Sequence, residues 1–128
     1  MTVLLDTHAL FWWASMPNLL SPAALATLQS ADPAVAAITW FELAWLMRRG
    51  RIGTTRPVHA AITTLAGGVQ TVPLTPAIAA RAAELPDTFP RDPVDRIIYA
   101  TAVEHGLRLV SKDARLHAAD TSGNIVIW

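Results

Sequence analysis

The sequence predicts an α/β protein with a mostly parallel central sheet of about four to five strands, flanked by helices on both faces. Three observations carry that expectation. Short apolar runs recur along the chain, each too short for a helix and most followed by a segment with helical punctuation. Ser21-Pro22, Thr75-Pro76 and Asp92-Pro93 each pair a capping side chain with proline at the first helical position, where the missing N–H has no partner to lose. Apolar residues make up 52% of the chain against 16% charged, the composition of a core-rich protein. Strands that alternate with helices have the crossovers that parallel pairing requires.

Taken in order, Val3-Leu4-Leu5 is a short strand, and His8 to Ser15 reads as a helix crowded with Leu10, Phe11, Trp12 and Trp13. Ser21-Pro22 opens a second helix, with Leu25 and Leu28 at helical spacing, and Asp32-Pro33 ends it. Ala34 to Ile38 is the next buried strand. Thr39-Trp40-Phe41-Glu42 has capping-box spacing and starts a helix through Arg49, closed by Gly50. Pro57 precedes a helix with Val58, Ile62 and Leu65 on one face, ending at Gly67-Gly68. Val69 to Leu74 is the third strand, and Thr75-Pro76 starts a helix ending near Leu85. Pro86, Pro90 and Pro93 make Asp87 to Asp92 a loop. Asp92-Pro93 opens the helix Val94 to His105, ended by Gly106, and Leu107 to Val110 and Ile125 to Trp128 complete the strands.

The chain has 128 residues and shows no repeat, low-complexity run or interdomain linker, so residues 1–128 are expected to form a single domain. Ten basic and ten acidic residues cancel. Any nucleic-acid binding must therefore come from a local basic patch and not from overall charge. Cysteine is absent, which excludes disulfides, thiolate metal sites and cysteine nucleophiles and agrees with a cytoplasmic location. Asp6 interrupts the first apolar stretch, and no run reaches the roughly 18 apolar residues of a membrane span, so neither a signal peptide nor a membrane segment is expected.

The chemistry-bearing feature is a set of four acids. Asp6, Glu42, Asp95 and Asp113 each stand where an apolar strand gives way to a helix or turn, or at a helix start. In a parallel sheet the carboxyl ends of the strands share one edge, and ligands bind in the crevice there. Acids brought together at that edge repel unless one is protonated or a cation lies between them. Mg2+ is the natural cation for an all-oxygen site, which points to metal-dependent phosphoryl chemistry. Each acid also has a purely structural explanation. Asp6 can cap the helix after it, Glu42 lies at the third helical position after Thr39, and Asp95 lies there after Asp92. The two roles are compatible, because a capping carboxylate keeps a second oxygen free.

Four segments resemble PIN-domain ribonucleases, particularly the VapC-type toxins of bacterial toxin–antitoxin pairs. They are Leu4-Leu5-Asp6-Thr7-His8-Ala9-Leu10, Ile38-Thr39-Trp40-Phe41-Glu42-Leu43-Ala44, the run from Asp92 to Ala102, and Leu109-Val110-Ser111-Lys112-Asp113. The similarity extends from residue 3 to the final Ile-Val-Ile-Trp. It implies a PIN-like fold and Mg2+- or Mn2+-dependent endonucleolytic cleavage of RNA. It also implies inhibition by a small cognate VapB-like antitoxin, and a homodimer. By position, the family's catalytic and metal-binding acids fall on Asp6, Glu42, Asp95 and Asp113. Thr7, Ser111 and Asp92 become supporting residues, with Ser111 standing where the family commonly has threonine. An antitoxin arginine that pairs with the carboxylates would displace the metal.

Arg48, Arg49 and Arg51 form the densest basic cluster, either a favourable helix end or a phosphate-binding rim for RNA. Arg96, next to Asp95, is a candidate to neutralise an acid. Trp12, Trp13, Trp40 and Trp45 are either core or platforms for unpaired bases. Trp12 and Trp13 project about 100° apart on a helix and cannot share one buried stripe, so at least one is expected on a partner surface. The four histidines form no close-spaced ligand pair. Two other readings fit the same residues. One is a PIN nuclease acting in RNA processing or on structured DNA without an antitoxin. The other is a non-catalytic α/β binding module whose acids only cap helices.

Overall fold

A computed structural model describes all residues from Met1 to Trp128. Strand β1 (Thr2–Leu5) leads into α1 (Thr7–Ser15), a 3-10 turn at Pro17–Leu19 and α2 (Pro22–Gln29). Then come β2 (Asp32–Ala36), α3 (Ile38–Arg48), α4 (Val58–Ala66), β3 (Gln70–Val72) and α5 (Pro76–Glu84). The chain closes with α6 (Pro93–His105), β4 (Arg108–Val110), α7 (Ala114–Ala119) and β5 (Val126–Ile127). All five strands are parallel, in the order β3-β2-β1-β4-β5. The chain builds outward from β1 in one direction through β2 and β3. It then returns to β1's other side for β4 and β5. The direction reverses between β1 and β4, and that is where an open parallel sheet offers a crevice at its carboxyl edge.

Alternation along the strands divides the core in two. Val3, Leu5, Val35, Val110 and Ile127 point to one face and pack with Ala9, Leu10, Ala24, Leu28, Leu43 and Met47 from α1, α2 and α3. Leu4, Ala34, Ala36, Leu109 and Val126 point to the other and pack with Ile98, Ala102 and Leu116 from α6 and α7. Helix α5 lies outside α6 through Ile78, Ala82 and Ala100. Leu4 and Leu5 are both fully buried, one on each face, each contributing roughly 1.5–3 kcal/mol of apolar burial. The expected helix-covered parallel sheet is therefore present. No helix is long and apolar enough to cross a membrane.

The proline-based starts form as expected: Ser21 and Thr75 accept from Ala24 and Ile78 N–H, and Asp92 accepts from Val94 and Asp95 N–H. Gly106 ends α6 in the left-handed region at φ 63°, which suits a residue without Cβ. Three expectations fail. Asp32-Pro33 does not end a helix; both residues lie in β2, and α2 stops at Gln29. Asp32 donates to Met1 O, so the next nitrogen, Pro33, faces the side of β3, whose pairing begins only at Ala34. Proline loses no ladder bond there. Thr39 does not cap α3: the helix starts at Ile38, behind an Ala37 that offers no side-chain cap. Thr39 is instead buried, its Oγ1 without a partner. The strand expected from Ala34 to Ile38 ends at Ala36, and Ile38 opens α3; α7, between Asp113 and Asp120, has no counterpart among the expected elements.

Candidate active site

Each acid arrives at the carboxyl edge by a different local route. Asp6 directly follows β1, donates its N–H to Val110 O at 3.1 Å and caps α1 by accepting from Ala9 N–H at 2.8 Å. Glu42 lies one turn into α3, and because Thr39 forms no capping box its carboxylate is not held by the helix start. Asp95 is in the first turn of α6, behind the Asp92 cap. Asp113 follows β4 and caps α7, accepting from Arg115 N–H at 2.8 Å. The elements were chosen by packing, and their ends bring all four acids to one place. A cavity of about 450 Å3 is lined by Asp6, Glu42, Asp92, Asp95 and Asp113, with Thr7, His8, Trp12, Lys112 and Arg115.

The electrostatics follow from that crowding. Burial pushes the Asp6 carboxyl above its ordinary value, against hydrogen bonds from Ser111 and Ala9, and the Glu42 charge adds to the rise. Asp95 is pushed up to about 7, first by burial and then by the charges of Asp92, Asp113 and Glu42. Asp113 moves the other way, held low chiefly by the hydrogen bond from Arg115. Arg115 Nη2 lies 2.9 Å from Asp113 Oδ2 and 3.4 Å from Asp95 Oδ2. Asp6 and Glu42 have no ion-pair partner.

The supporting residues divide. Ser111 is buried beneath the site and accepts from Asp113 N–H at 3.1 Å, while its carbonyl meets His117 Nε2 at 2.9 Å. The Thr7 hydroxyl is buried at the cavity edge with no protein partner. Asp92 lines the cavity, but one of its oxygens is already committed to two backbone N–H groups. Arg48, Arg49 and Arg51 are exposed at and just beyond the far end of α3 and do not line the cavity. Arg49 lies over the Trp45 ring, 4.4 Å from its centroid. Arg96 neutralises no acid. It turns away and donates to the carbonyls of Ala82, Leu85 and Pro90, tying down the end of α5 and the loop after it.

Sequence reasoning missed Arg115 and Lys112 as the cations of the site and Trp12 as its wall. Arg115 stands two residues after Asp113, a spacing that becomes informative only once α7 is known to start there. Trp12 and Trp13 both turn out half-buried against the first core cluster. The exposed aromatic pair is instead Phe41 and Trp45, stacked 6.1 Å apart on α3.

The donors fit a hard divalent cation. They are all oxygen, two of the acids are raised by burial and then by neighbouring charge, and a buried hydroxyl lacks a partner. No three acidic or histidine side chains close on a single point. Mg2+ retains several waters and needs only one or two direct carboxylates, so these acids would hold it partly through water.

Comparison with known proteins agrees with this architecture. The sequence pattern of the PIN domain family matches residues 3–121. Ribonuclease VapC22 of Mycobacterium tuberculosis is 51% identical over 128 residues, spanning 99% of this chain and 98% of that protein. Among solved structures, VapBC2 from Rickettsia felis, bound to a promoter DNA fragment, superposes with a TM-score of 0.71 at 12% identity, covering 99% of this chain and 98% of that one. A toxin–antitoxin complex from Klebsiella pneumoniae gives 0.68 at 21% identity, covering 98% and 96%. The sarcin-ricin-loop-cleaving toxin VapC20 of Mycobacterium tuberculosis gives 0.66 at 22% identity, covering 92% and 95%. With the family pattern running through residues 3–121 and a relative 51% identical over nearly the whole chain, on a parallel sheet with acids gathered at its switch point, this protein belongs to the PIN-domain family.

Proposed function

We propose that this chain is a metal-dependent endoribonuclease of the VapC type, the toxin of a toxin–antitoxin pair. The observation that carries the proposal is the meeting of Asp6, Glu42, Asp95 and Asp113 around one cavity. The chain in which they meet is 51% identical over nearly its whole length to a protein named as a ribonuclease.

Asp6, Glu42, Asp95 and Asp113 would hold Mg2+, with Mn2+ as a substitute. A divalent ion bound there supplies polarisation of the scissile phosphate and a lowered pKa for the attacking water. The chain's own residues do the rest. Thr7 and Ser111 offer hydroxyls to the acids or to water beside them. Asp95, whose carboxyl is pushed up to about 7, would have to be deprotonated to hold a cation, so affinity for the ion would rise with pH through that range. Arg115, already between two carboxylates, is placed to face the negative charge of an incoming phosphate. Arg48, Arg49 and Arg51 add affinity for the RNA backbone away from the chemistry. The domain of residues 1–128 works in the cytoplasm as a homodimer under a VapB-like antitoxin, and the exposed Phe41–Trp45 pair is the apolar surface available for assembly.

The test is cleavage of an RNA pool with and without Mg2+ by the wild type and by Asp6→Asn. Cleavage that needs both the metal and Asp6 is the expected result. Metal-independent cleavage would overturn the metal-dependent mechanism, and no cleavage at all would leave only a binding module.

A further inference from the structure

The acidic cavity has ten lining residues, and Trp12 alone among them is apolar. Trp12 is half-buried. Its inner part packs on the first core cluster and on Trp128, ring centroids 5.7 Å apart, which fixes the ring in position. His8, one helical turn earlier, lies 5.7 Å from it, also tilted, and lines the same cavity. Lys112, on the loop that carries Asp113, places its Nζ over the Trp12 ring, 5.8 Å from the centroid. A packed indole thus borders a charged cavity, with one cation over its ring and another, Arg115, lining the same cavity.

An apolar wall has nothing to offer a metal or a phosphate. It matches the face of a nucleobase, and stacking on a held aromatic ring is sequence-tolerant because every base presents a π-face. Only an unpaired base can reach it, since a base within a duplex is already stacked on both sides. We infer that Trp12 is a stacking subsite for one unpaired nucleobase next to the scissile phosphate. The base takes the place of Lys112 over the ring, and Lys112 swings to a flanking phosphate. This inference rests on the nuclease reading and deepens it: the substrate is single-stranded at the cleavage point, and the protein senses that through Trp12.

The experiment measures anisotropy of a fluorescein-labelled oligouridylate of about eight nucleotides, in EDTA so that nothing is cut. Wild type is compared with Trp12→Phe and Trp12→Leu, and the RNA with a series carrying one abasic nucleotide at each position in turn. Trp12→Leu keeps an apolar contact with Trp128 and is expected to weaken binding about 5- to 150-fold, with Trp12→Phe losing much less. Removing one particular base should weaken wild type by a similar factor and leave Trp12→Leu unchanged, because the two losses are the same contact. Should Trp12→Leu fail to fold, the abasic series on wild type carries the test alone. One sensitive position supports the subsite, and uniform indifference overturns it. Mg2+-dependent cleavage by wild type reads the parent assignment separately. Cleavage together with binding that ignores Trp12, or with no binding in EDTA, overturns the subsite alone, whereas no binding and no cleavage overturn both.

Discussion

Asp95 and Asp120 stand at opposite edges of the same sheet and have opposite fates. Asp120, which ends α7 and reaches the start of β5 through its side chain, is only 7% exposed, yet its carboxyl lies below its ordinary value. Burial pushes it up, but it accepts from Ile125 and Val126 N–H at 2.9 Å, from Ser122 Oγ at 2.7 Å and from Tyr99 at 3.4 Å, and together these outweigh burial. Asp95 has one long contact to Arg115 and three acidic neighbours, and it rises to about 7. Burial sets the size of the problem; donors decide its sign. One edge ties a carboxylate into the fold, while the other leaves carboxylates short of partners, the state in which a cation is most welcome.

The largest expected difference between the two edges is in activity. Asp6→Asn, Glu42→Gln or Asp95→Asn should each lower Mg2+-dependent cleavage of a fluorescent RNA by at least about 100-fold. Asp120→Asn should stay within a few-fold of wild type once its folded fraction is accounted for. Equal losses at both edges would erase the distinction.

Stability against pH sharpens it. A carboxyl raised in the folded state favours folding most at low pH, and that advantage disappears as pH climbs from about 4 towards 7. For metal-free protein, Asp95 should therefore lower stability across that window by roughly 2–4 kcal/mol, with Asp6 acting in the same direction. Asp95→Asn should flatten the profile and raise the melting temperature at pH 8 without metal. Urea unfolding from pH 4.5 to 8 reads this directly, and an Asp95→Asn profile parallel to wild type would contradict the crowding account.

Asp120 carries the opposite sign. Its lowered carboxyl stabilises the fold above its unfolded value and loses that contribution as pH falls through the folded one. Asp120→Asn should cost about 2–3 kcal/mol at pH 7, since backbone N–H groups before β5 lose a charged acceptor. Thermal melts at pH 7 measure it, and an unchanged melting temperature would mean the turn holds without the charge.

The smallest effect belongs to the arginines outside the cavity. Arg48→Ala with Arg49→Ala should leave the rate of bound-substrate cleavage unchanged and weaken RNA binding. The logarithmic salt slope should fall by about 0.7 for each phosphate contact removed. An unaltered slope would mean that Arg49 serves only its contact with Trp45.

The fold was legible to the extent that its signals are local. Proline after a capping residue announces α2, α5 and α6 because the proline ring and the cap act within one turn. The false capping box at Thr39 shows the limit. Thr39 and Glu42 have the right spacing, but the chain coming out of β2 must turn early to pack α3 on the sheet, and the helix starts at Ile38. The same constraint freed Glu42 for the cavity. Pro33 reads as a terminator in isolation and is harmless in β2 because β3 has not yet begun beside it.

What the amino-acid sequence determined by itself was the α/β alternation, the apolar faces and which acids follow which elements, since these depend on periodicity and on contacts a few residues apart. Tertiary structure alone decided the strand order β3-β2-β1-β4-β5, and with it the switch point where residues distant in the chain become neighbours. It placed Arg115 between Asp95 and Asp113, Trp12 on the cavity wall and Arg96 against α5. The reason is physical: a carboxylate's charge and a tryptophan's exposure are set by whatever packs across from them. In a parallel sheet those partners come from other crossovers, beyond the reach of any local pattern.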